Sequence, residues 1–183
     1  MHNLSDIILW QTFRSGNKAA FAELYRRYVK VLYNYGSKFS TDSDLLEDAV
    51  QDLFTDLWRM KANLSDTDSI KFYLFRSLRR LIHRQIKHDS VFSDINISQN
   101  LEAIFASEPS SEQLQISQET EAILKQRLAH ALTTLPKRQS EALNLRFYEN
   151  FDYPQIAEIM GINEQSARNF VQKAIQLLRQ TIS

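Results

Sequence analysis

The amino-acid sequence predicts an all-α protein of two small helical domains joined by a flexible acidic linker, the second domain being a helix-turn-helix. Apolar residues recur three and four positions apart over long stretches, which is the spacing of one buried helix face. Only three glycines and three prolines interrupt the 183 residues. A chain of this length can hold one domain or two small ones. We therefore expect helical domains at residues 1–88 and 119–183, with a linker at 89–118.

Four helices are predicted in the first domain from this spacing. They run from about Ser5 to Arg14, from about Lys18 to Phe39, from after Asp42 or Ser43 onward, and from after Asp68 or Ser69 to about His88. The apolar residues on these helices include Ile7, Ile8, Trp10, Phe21, Leu24, Tyr25, Tyr28, Leu32, Leu46, Ala49, Val50, Leu53, Phe54, Leu57, Trp58, Leu74, Leu78, Leu81 and Ile82.

The segment 89–118 differs from both flanking regions. It is rich in Ser, Glu, Gln and Asp, contains Pro109, and has no Lys or Arg. Its apolar residues lack sustained helical spacing, apart from a short turn near 101–105. We interpret this segment as a linker that is mobile in the free protein. Beyond it, helices are predicted near 119–134 and 137–148, the second opened by Pro136.

Composition narrows the class of protein. The absence of cysteine excludes disulfides and thiolate metal sites, and it fits a reducing cytosol. No basic segment followed by an apolar run opens the chain, and no apolar stretch is long enough to span a bilayer. The four histidines are scattered, and the acids form no constellation typical of a hydrolase. We expect a cytoplasmic protein without membrane insertion, catalytic residues, bound metal or cofactor.

Charge is distributed unevenly although the formal net charge is zero. When Lys and Arg are counted against Asp and Glu, residues 1–88 carry +4, residues 89–124 carry −7 and residues 125–183 carry +3. Two basic ends therefore flank an acidic middle, and the average charge says little about the partners of either end.

The segment 151–173 predicts a helix-turn-helix. Asp152 can cap a short first helix with Gln155 as its capping-box partner, and Pro154 is tolerated in the first turn. Gly161 can supply the positive φ that ends this helix, and Asn163 can cap the next one. The small Ala157 allows the second helix to cross closely. The residues expected to be buried on the second helix are Ala167, Phe170, Val171, Ala174 and Leu178.

The opposite face of that second helix is polar and, beyond Glu164, free of acids. Arg can bond guanine, Asn and Gln can bond adenine, and Lys can meet phosphate. This face indicates a reader of the DNA major groove; the alternative is a helical hairpin with a solvated polar face. The candidate DNA-binding residues are Gln165, Ser166, Arg168, Asn169, Gln172 and Lys173.

The predicted fourth helix carries a second chemical signal, because cations and aromatic residues interleave there without an acid between residues 70 and 87. Cations follow a phosphate backbone, and aromatic faces stack unpaired bases at about 1–3 kcal/mol each. This pairing suits single-stranded or melting DNA; the alternative is an aromatic core with a solvated basic face, and Phe72 and Phe75 are each open to either interpretation. The candidate residues are Lys71, Phe72, Tyr73, Arg76, Arg79, Arg80, Arg84 and Lys87.

The predicted third helix is acidic, since Asp44, Asp48, Asp52 and Asp56 recur every four residues beside Glu47. Like charges at this spacing repel by about 0.2–0.5 kcal/mol per pair. A strip that stays acidic despite this repulsion indicates docking to a basic partner, whereas the alternative is a face that only aids solubility. The candidate docking residues are Glu47, Asp48, Gln51, Asp52 and Asp56.

Several phrases together resemble the bacterial sigma-70 family of RNA polymerase factors, in its compact two-domain extracytoplasmic-function type. The resemblance covers nearly the whole chain and depends on the order and spacing of its phrases. Those phrases are residues 16–28 (GNKAAFAELYRRY), residues 47–58 (EDAVQDLFTDLW), residues 135–139 (LPKRQ) with Phe147 and Tyr148, and the helix-turn-helix.

The resemblance implies a role for each candidate surface. The segment around Asp48, Gln51 and Asp52 matches the docking surface for core RNA polymerase, and residues 71–87 match the region that melts and captures the −10 element of promoter DNA. Residues 165–176 match the reader of the −35 element. The resemblance also implies an anti-sigma factor as a partner, and a linker that passes through polymerase toward the RNA exit channel.

Two departures from the family pattern concern the −10 region. Arg80 stands where many relatives carry Asn, and His83-Arg84 replaces a common apolar-Asp pair. Base capture can therefore use different contacts here, with a larger share from phosphates.

Two other functions remain open on the residues alone. One is a stand-alone helix-turn-helix transcription regulator whose N-terminal domain senses a ligand or partner. The other is a helical adaptor that binds protein through its acidic face and binds no DNA, which leaves the basic helix unexplained.

Overall fold

The computed structural model describes residues 5–38, 40, 42–89 and 127–182. The chain divides into two compact units, one within Met1–Asn96 and the other within Ile97–Ser183. Throughout the described residues the regular secondary structure is helical, as the sequence predicts. The predicted linker 89–118 lies, beyond Asp89, outside the described residues, as does the first part of the helix predicted at 119–134.

The N-terminal unit contains helices α1 (Asp6–Arg14), α2 (Lys18–Gly36), α3 (Ser43–Met60) and α4 (Ile70–Asp89), with a 3₁₀ turn at Lys61–Asn63. Helix α2 packs against the other three helices, and α3 also packs along α4. Asn17 caps α2 by accepting the Ala20 N–H, and Asp42 caps α3 by accepting the N–H groups of residues 44 and 45. The polar caps therefore fix where two of these helices begin.

Helix α2 ends three residues earlier than the sequence predicts, at Gly36 rather than near residue 39. A Cβ at Gly36 would lie 3.0 Å from Leu46 Cδ2 and 3.3 Å from Ile82 Cδ1. The missing side chain therefore lets α3 and α4 approach the end of α2 closely. Residues 39 and 41 lie outside the described residues.

The core of the N-terminal unit is aromatic. Trp10, Phe13 and Phe75 are fully buried, and the ring of Phe13 lies 5.5 Å from that of Trp10. Phe75 contacts the buried Tyr35, with 4.7 Å between ring centroids. Aromatic pairs of this kind add about 0.5–1.5 kcal/mol beyond the area that they bury. Large rings on all four helices therefore hold this unit together.

A polar network joins α1 to α2. Glu23 is buried, and its carboxylate accepts hydrogen bonds from Arg26 and Arg27 at 2.8 and 2.7 Å. These hydrogen bonds lower the pKa of Glu23 to about 2. Arg27 also bonds Asp6 of α1 at 2.9 Å, and the Tyr28 hydroxyl donates to the other Asp6 oxygen. Burial, followed by the bond to Asp6, raises the pKa of Tyr28. The network therefore adds a polar link between α1 and α2 to the ring contact between these helices.

The C-terminal unit contains α5 (helical at 127–134), α6 (Lys137–Phe147), α7 (Tyr153–Met160) and α8 (Glu164–Ile182). Helix α8 packs against both α6 and α7. The core of the C-terminal unit is built mainly from small and aliphatic side chains, with Phe151 as a buried aromatic residue. On α8, Ala167, Val171 and Ala174 are buried as predicted, whereas Phe170 and Leu178 are only partly buried.

The local geometry of the helix-turn-helix follows its sequence. Asp152 accepts the Gln155 N–H at 2.8 Å, and the Gln155 side chain accepts the Asp152 N–H at 3.1 Å, which completes the capping box. Gly161 is left-handed at φ +63°, and Asn163 accepts the Ser166 N–H at 2.7 Å. The predicted caps and turn are confirmed, and they set where α8 begins.

Candidate nucleic-acid and protein interfaces

Helix α8 presents the polar face that the sequence predicts. Ser166 is partly buried, and its backbone N–H donates to the Asn163 cap. The candidates at 165, 168, 169 and 172 are three and four residues apart and form one stripe, which 166 and 173 flank. The exposed candidates are Gln165, Arg168, Asn169, Gln172 and Lys173. Geometry therefore brings all six candidates to one side of one helix.

Arg168 is the most constrained residue on this stripe. Its guanidinium carbon lies 4.4 Å from the ring centroid of Tyr153, a residue of the first turn of α7. Its Nε and Nη2 donate to one carboxylate oxygen of Glu164, at 3.2 and 2.5 Å. Two different helices therefore hold this cation in place.

Two further contacts shape the same region. Gln165 donates to the Asn169 side chain at 3.0 Å, so these two amides lie side by side. Arg146 of α6 lies 5.1 Å from the Tyr153 ring centroid and donates to the Phe151 carbonyl at 3.0 Å. The Tyr153 ring is thus within cation–π distance of two guanidinium groups.

Helix α4 presents a basic stripe opposite its buried face. Positions 73, 76, 80, 84 and 87 recur at spacings of three and four, so they share a face. Arg80 and Arg84 are exposed, while Tyr73 and Arg76 are partly buried. Tyr73 packs beside Trp10, with ring centroids 5.4 Å apart. The backbone of Lys87 lies in α4, but its side chain is outside the described part of the chain.

The remaining candidates of α4 lie off this stripe. Phe72 and Arg79 are partly buried and flank it, one helical turn from Arg76 on the same side. Lys71 instead belongs to the side of α4 that holds Phe75, and its ammonium lies 5.7 Å from the Phe75 ring centroid. The structure therefore separates Lys71 from Arg80 and Arg84, although all three belong to one basic run in the sequence.

Phe75 resolves one of the alternatives that the sequence leaves open. It is fully buried against Tyr35, so it is a core residue and its ring is not available to a DNA base. Its position four residues after Lys71 and three before Leu78 places it on the buried face of α4. The aromatic residues that remain partly accessible on α4 are Phe72 and Tyr73.

Helix α3 carries the acidic strip, which consists of Glu47, Asp48, Gln51, Asp52 and Asp56. The first four side chains are exposed and Asp56 is partly buried, because the apolar face of α3 packs on α2 and α4. Asp56 approaches Arg59 at 4.0 Å in an exposed ion pair that contributes little. Within the described residues no cation pairs with Glu47, Asp48 or Asp52. The strip is therefore a negative surface that is compensated only weakly, at Asp56.

The sequence alone predicts no role for Tyr153, and in it Glu164 is only the last acid before the polar face of α8. The pairing of Glu164 with Arg168 could have been found, because acid and base stand four residues apart on one helix. The contact between Tyr153 and Arg168 could not, since it depends on how α7 and α8 cross.

The described residues hold no group of three or more His, Asp or Glu side chains arranged for a metal ion. In the same part of the chain, no helix is long and apolar enough to cross a membrane.

Two family models match the chain, one in each unit. Sigma-70 region 2 matches residues 24–90, and Sigma-70 region 4 matches residues 125–178. The first covers most of α2 together with α3 and α4, and the second covers α6, α7 and most of α8. The chain therefore belongs to the sigma-70 family, in the extracytoplasmic-function type.

One relative and two solved structures are similar to this chain over most of its length. The ECF RNA polymerase sigma factor SigM of Bacillus subtilis (strain 168) is 23% identical over 86% of this chain and 91% of its own length. CnrH, solved in complex with the cytosolic domain of CnrY, superposes with a TM-score of 0.62 at 19% identity, over 96% of this chain and 95% of the other.

A third relative is the sigma factor RpoE from Bartonella quintana, solved in complex with the anti-sigma factor NepR. It superposes with a TM-score of 0.59 at 23% identity, over 88% of this chain and 96% of the other. The two structural likenesses show the fold, and the family models carry the function. The protein is a DNA-binding RNA polymerase sigma factor of transcription initiation.

Proposed function

We propose that this sigma factor directs core RNA polymerase to promoters by reading a −35 element with α8 and capturing a −10 element with α4. The observation that carries the proposal is that an exposed, donor-rich stripe without acids beyond Glu164 lies in the C-terminal unit, while a basic stripe lies in the N-terminal one. Each unit thus offers one surface suited to DNA.

The −35 assignment rests on the chemistry of the α8 stripe. Amide and guanidinium groups can form bidentate hydrogen bonds with base edges in the major groove, which an α-helix can enter. Arg168, Asn169 and Gln172 are exposed there, and Lys173 lies at the flank, where a phosphate contact suits it. Gln165 and Ser166 stand closest to the start of the helix, where the positive end of the helix dipole also favours phosphate.

The −10 assignment rests on the α4 stripe. Arg80 and Arg84 can follow the phosphates of a strand, while Phe72 and Tyr73 can stack its unpaired bases. Arg76, Arg79, Lys71 and Lys87 add positive potential around this stripe. Since Arg80 and Arg84 are both exposed cations, phosphate contacts supply a large share of the binding.

Core polymerase docking is assigned to the acidic strip of α3. Glu47, Asp48 and Asp52 lack a cationic partner among the described residues, so a basic surface can pair with them without first breaking an ion pair. Gln51 adds a neutral hydrogen-bonding group within the strip, and Asp56 lies at its far end. Complementary charge of this kind speeds association and selects partners.

An anti-sigma factor is proposed as the regulatory partner. The support is that RpoE, whose fold this chain shares, was solved with the anti-sigma factor NepR. We also propose a cytoplasmic location and no catalytic activity of its own, since the function is exercised through the polymerase. The domain limits 1–88, 89–118 and 119–183 remain a proposal, because residues 90–126 are outside the described part.

The test is to add the protein to sigma-free core polymerase with promoter fragments selected by the holoenzyme from a randomised pool, and to measure transcription. Promoter-dependent transcripts that require the protein are expected. If it binds DNA but neither binds polymerase nor supports transcription, the stand-alone regulator is the better description. If it binds another protein and no DNA, the adaptor is the better description.

The docking surface is tested by reversing one charge. Asp52→Arg should weaken binding of the full-length protein to core polymerase by at least tenfold, because an unpaired acid becomes a like charge facing a basic partner. Asp68→Arg, an exposed aspartate outside the strip, is the matched control and should bind nearly normally. Equal affinities for the two variants would leave the acidic strip without a docking role.

The −35 surface is tested with Arg168→Ala, which should weaken binding to the selected −35 element by about 1–3 kcal/mol. Gln180, an exposed residue near the end of α8, provides the control variant Gln180→Ala. Unchanged affinity and specificity in Arg168→Ala would show that another face of the unit contacts DNA.

A further inference from the structure

Arg168, the most constrained cation of the α8 stripe, has one end of its guanidinium group without a full set of partners. Glu164 occupies the edge formed by Nε and Nη2, and the Tyr153 ring lies 4.4 Å from the guanidinium carbon. The described residues provide no partner for Nη1. The end formed by Nη1 and Nη2 therefore keeps two parallel N–H groups that can donate together.

Two parallel donors have a preferred partner among the bases. In the major groove guanine presents two adjacent acceptors, N7 and O6, and a bidentate arginine is the commonest specific contact to them. Adenine presents one acceptor and one donor on the same edge, so the second N–H of the arginine would face a donor. The remaining fork of Arg168 thus matches guanine best.

The backbone that carries Tyr153 is fixed by local hydrogen bonds. Tyr153 belongs to the first turn of α7, whose start is fixed by the capping box of Asp152 and Gln155. Arg146 lies 5.1 Å from the Tyr153 ring and is anchored to the Phe151 carbonyl. A ring on this capped turn, in contact with Arg168, restricts the rotamers of Arg168 before DNA arrives, and a side chain ordered in advance loses less entropy on binding.

We propose that Tyr153 and Glu164 are positioning residues that hold Arg168 for bidentate recognition of one guanine in the −35 element. This inference rests on the proposed −35 function of α8 and adds the base that is read and the residues that enforce it. Tyr153 supplies a neutral surface that orients the guanidinium plane, and Glu164 occupies the edge that would otherwise meet phosphates or other bases.

The experiment measures discrimination at each base pair rather than overall affinity. The full-length protein is assembled with core polymerase, a −35 duplex is selected from a randomised pool, and each of its base pairs is then substituted in turn. Tyr153→Leu should reduce discrimination at one G·C pair by about two- to fivefold, the size of an exposed cation–π contact, and leave the other positions unchanged. Tyr153→Phe keeps the ring and should retain wild-type discrimination.

A double variant shows whether Tyr153 acts through Arg168 or only supports the fold. In protein that already carries Arg168→Ala, Tyr153→Leu should cause no further loss at that base pair, because the residue it positions is gone. Tyr148→Leu is the control, since it removes an exposed ring of the same unit at the end of α6. It should leave discrimination unchanged at every position.

Glu164→Ala gives a second, independent readout. Removing this negative charge from a DNA-facing helix should raise binding to unrelated DNA while lowering discrimination at the same G·C pair as Tyr153→Leu. This variant also serves if Tyr153→Leu lowers the helicity of the unit.

The outcomes are distinguishable. If Arg168→Ala weakens −35 binding but Tyr153→Leu acts equally at all positions and additively with Arg168→Ala, the positioning inference is wrong and the −35 function stands. Loss of discrimination at an A·T pair instead would overturn the assignment to guanine. If Arg168→Ala has no effect, both the −35 assignment and the inference fall together.

Discussion

The two units of this protein are stabilised in different ways. The N-terminal unit is held by fully buried rings such as Trp10, Phe13 and Phe75, together with a buried charged network around Glu23. The C-terminal unit has a core of small and aliphatic side chains, and hydrogen-bonded caps define the helices of its helix-turn-helix. Both units have capped helices, since Asn17 and Asp42 cap α2 and α3, so the units differ mainly in the buried aromatic core and charged network of the first.

This difference explains how well the structure of each unit can be predicted from its sequence. In the N-terminal unit an aromatic residue can belong to the core or to a binding surface, and its neighbours in sequence do not decide which. Phe75 and Tyr73 are two residues apart, yet the first is fully buried and the second is partly accessible. In the C-terminal unit each capping residue bonds a group within four residues of it, so the caps can be predicted from the sequence.

The units also arrange charge differently. In the N-terminal unit negative and positive side chains lie on different helices, with the acidic strip on α3 and the basic stripe on α4. The C-terminal unit places a single acid, Glu164, at the start of its polar helix, where it pairs with Arg168. Segregated charge suits two macromolecular partners of opposite sign, whereas one acid beside one arginine orients a side chain.

The largest effect is expected from the aromatic core. Phe75→Ala should destabilise the N-terminal unit by about 3–5 kcal/mol, since it leaves a cavity beside Tyr35. Thermal or denaturant unfolding of the full-length protein would measure the loss. Tyr25→Ala, which removes a 42% exposed ring, is the control and should cost clearly less. A normal stability for Phe75→Ala would mean that the ring is not a core residue.

A backbone substitution addresses the C-terminal unit. Gly161→Ala should destabilise this unit by about 1–2 kcal/mol, because the left-handed conformation at φ +63° is unfavourable for a residue with a Cβ. A Cβ there would meet nothing within 4 Å, so the loss is conformational and not steric crowding by neighbours. Gly161→Asn should cost less, since Asn tolerates this conformation better. Equal costs for the two variants would argue against this explanation.

The basic stripe of α4 is expected to act through phosphates. Arg80→Ala should reduce the slope of log affinity against log salt concentration for holoenzyme bound to open promoter DNA by about 0.7–0.9, the contribution of one phosphate contact. Lys71→Ala is the comparison within the same helix, because Lys71 lies on the side of Phe75. An equal change of slope for both variants would show that a phosphate contact does not depend on lying in the basic stripe.

The smallest effect concerns the charged network and its pH dependence. Because the folded-state pKa of Glu23 is lowered from 4.5 to about 2, its stabilising contribution is fully present above about pH 4.5 and is lost as the pH falls toward 2. Glu23→Gln should therefore destabilise the N-terminal unit most at neutral pH, and the difference from wild type should shrink below pH 4.5. Unfolding curves of both proteins between about pH 2.5 and about pH 7 would measure this difference in stability.

The matched control for this prediction is Glu47→Gln, at an exposed glutamate without an ion-pair partner in the described part of the chain. Its stability relative to wild type should change little over the same range of pH. A difference between wild type and Glu23→Gln that is constant with pH would contradict the role of the two arginines.

Much of the candidate site could be predicted from sequence because it depends on helical spacing. The exposed face of α8, the acidic strip of α3 and the exposed Arg80 and Arg84 all follow from positions three and four residues apart. The basic run of α4 predicts one surface, but the run winds around the helix and leaves Lys71 on the side of Phe75. Helix α2 is predicted to run to about residue 39 but ends at Gly36, where the close approach of residues 46 and 82 depends on tertiary packing.

The sequence by itself determined the all-helical class, the helix-turn-helix with its capping box and left-handed glycine, and the polar and charged faces of α3 and α8. These features arise from hydrogen bonds and spacings within one or two helical turns, so they require no knowledge of distant residues. Only the tertiary structure decided that Phe75 belongs to the core, that Glu23 is buried, and that Tyr153 holds Arg168. Each of these depends on which helix packs against which, and the free energy of such contacts comes from residues far apart in the chain.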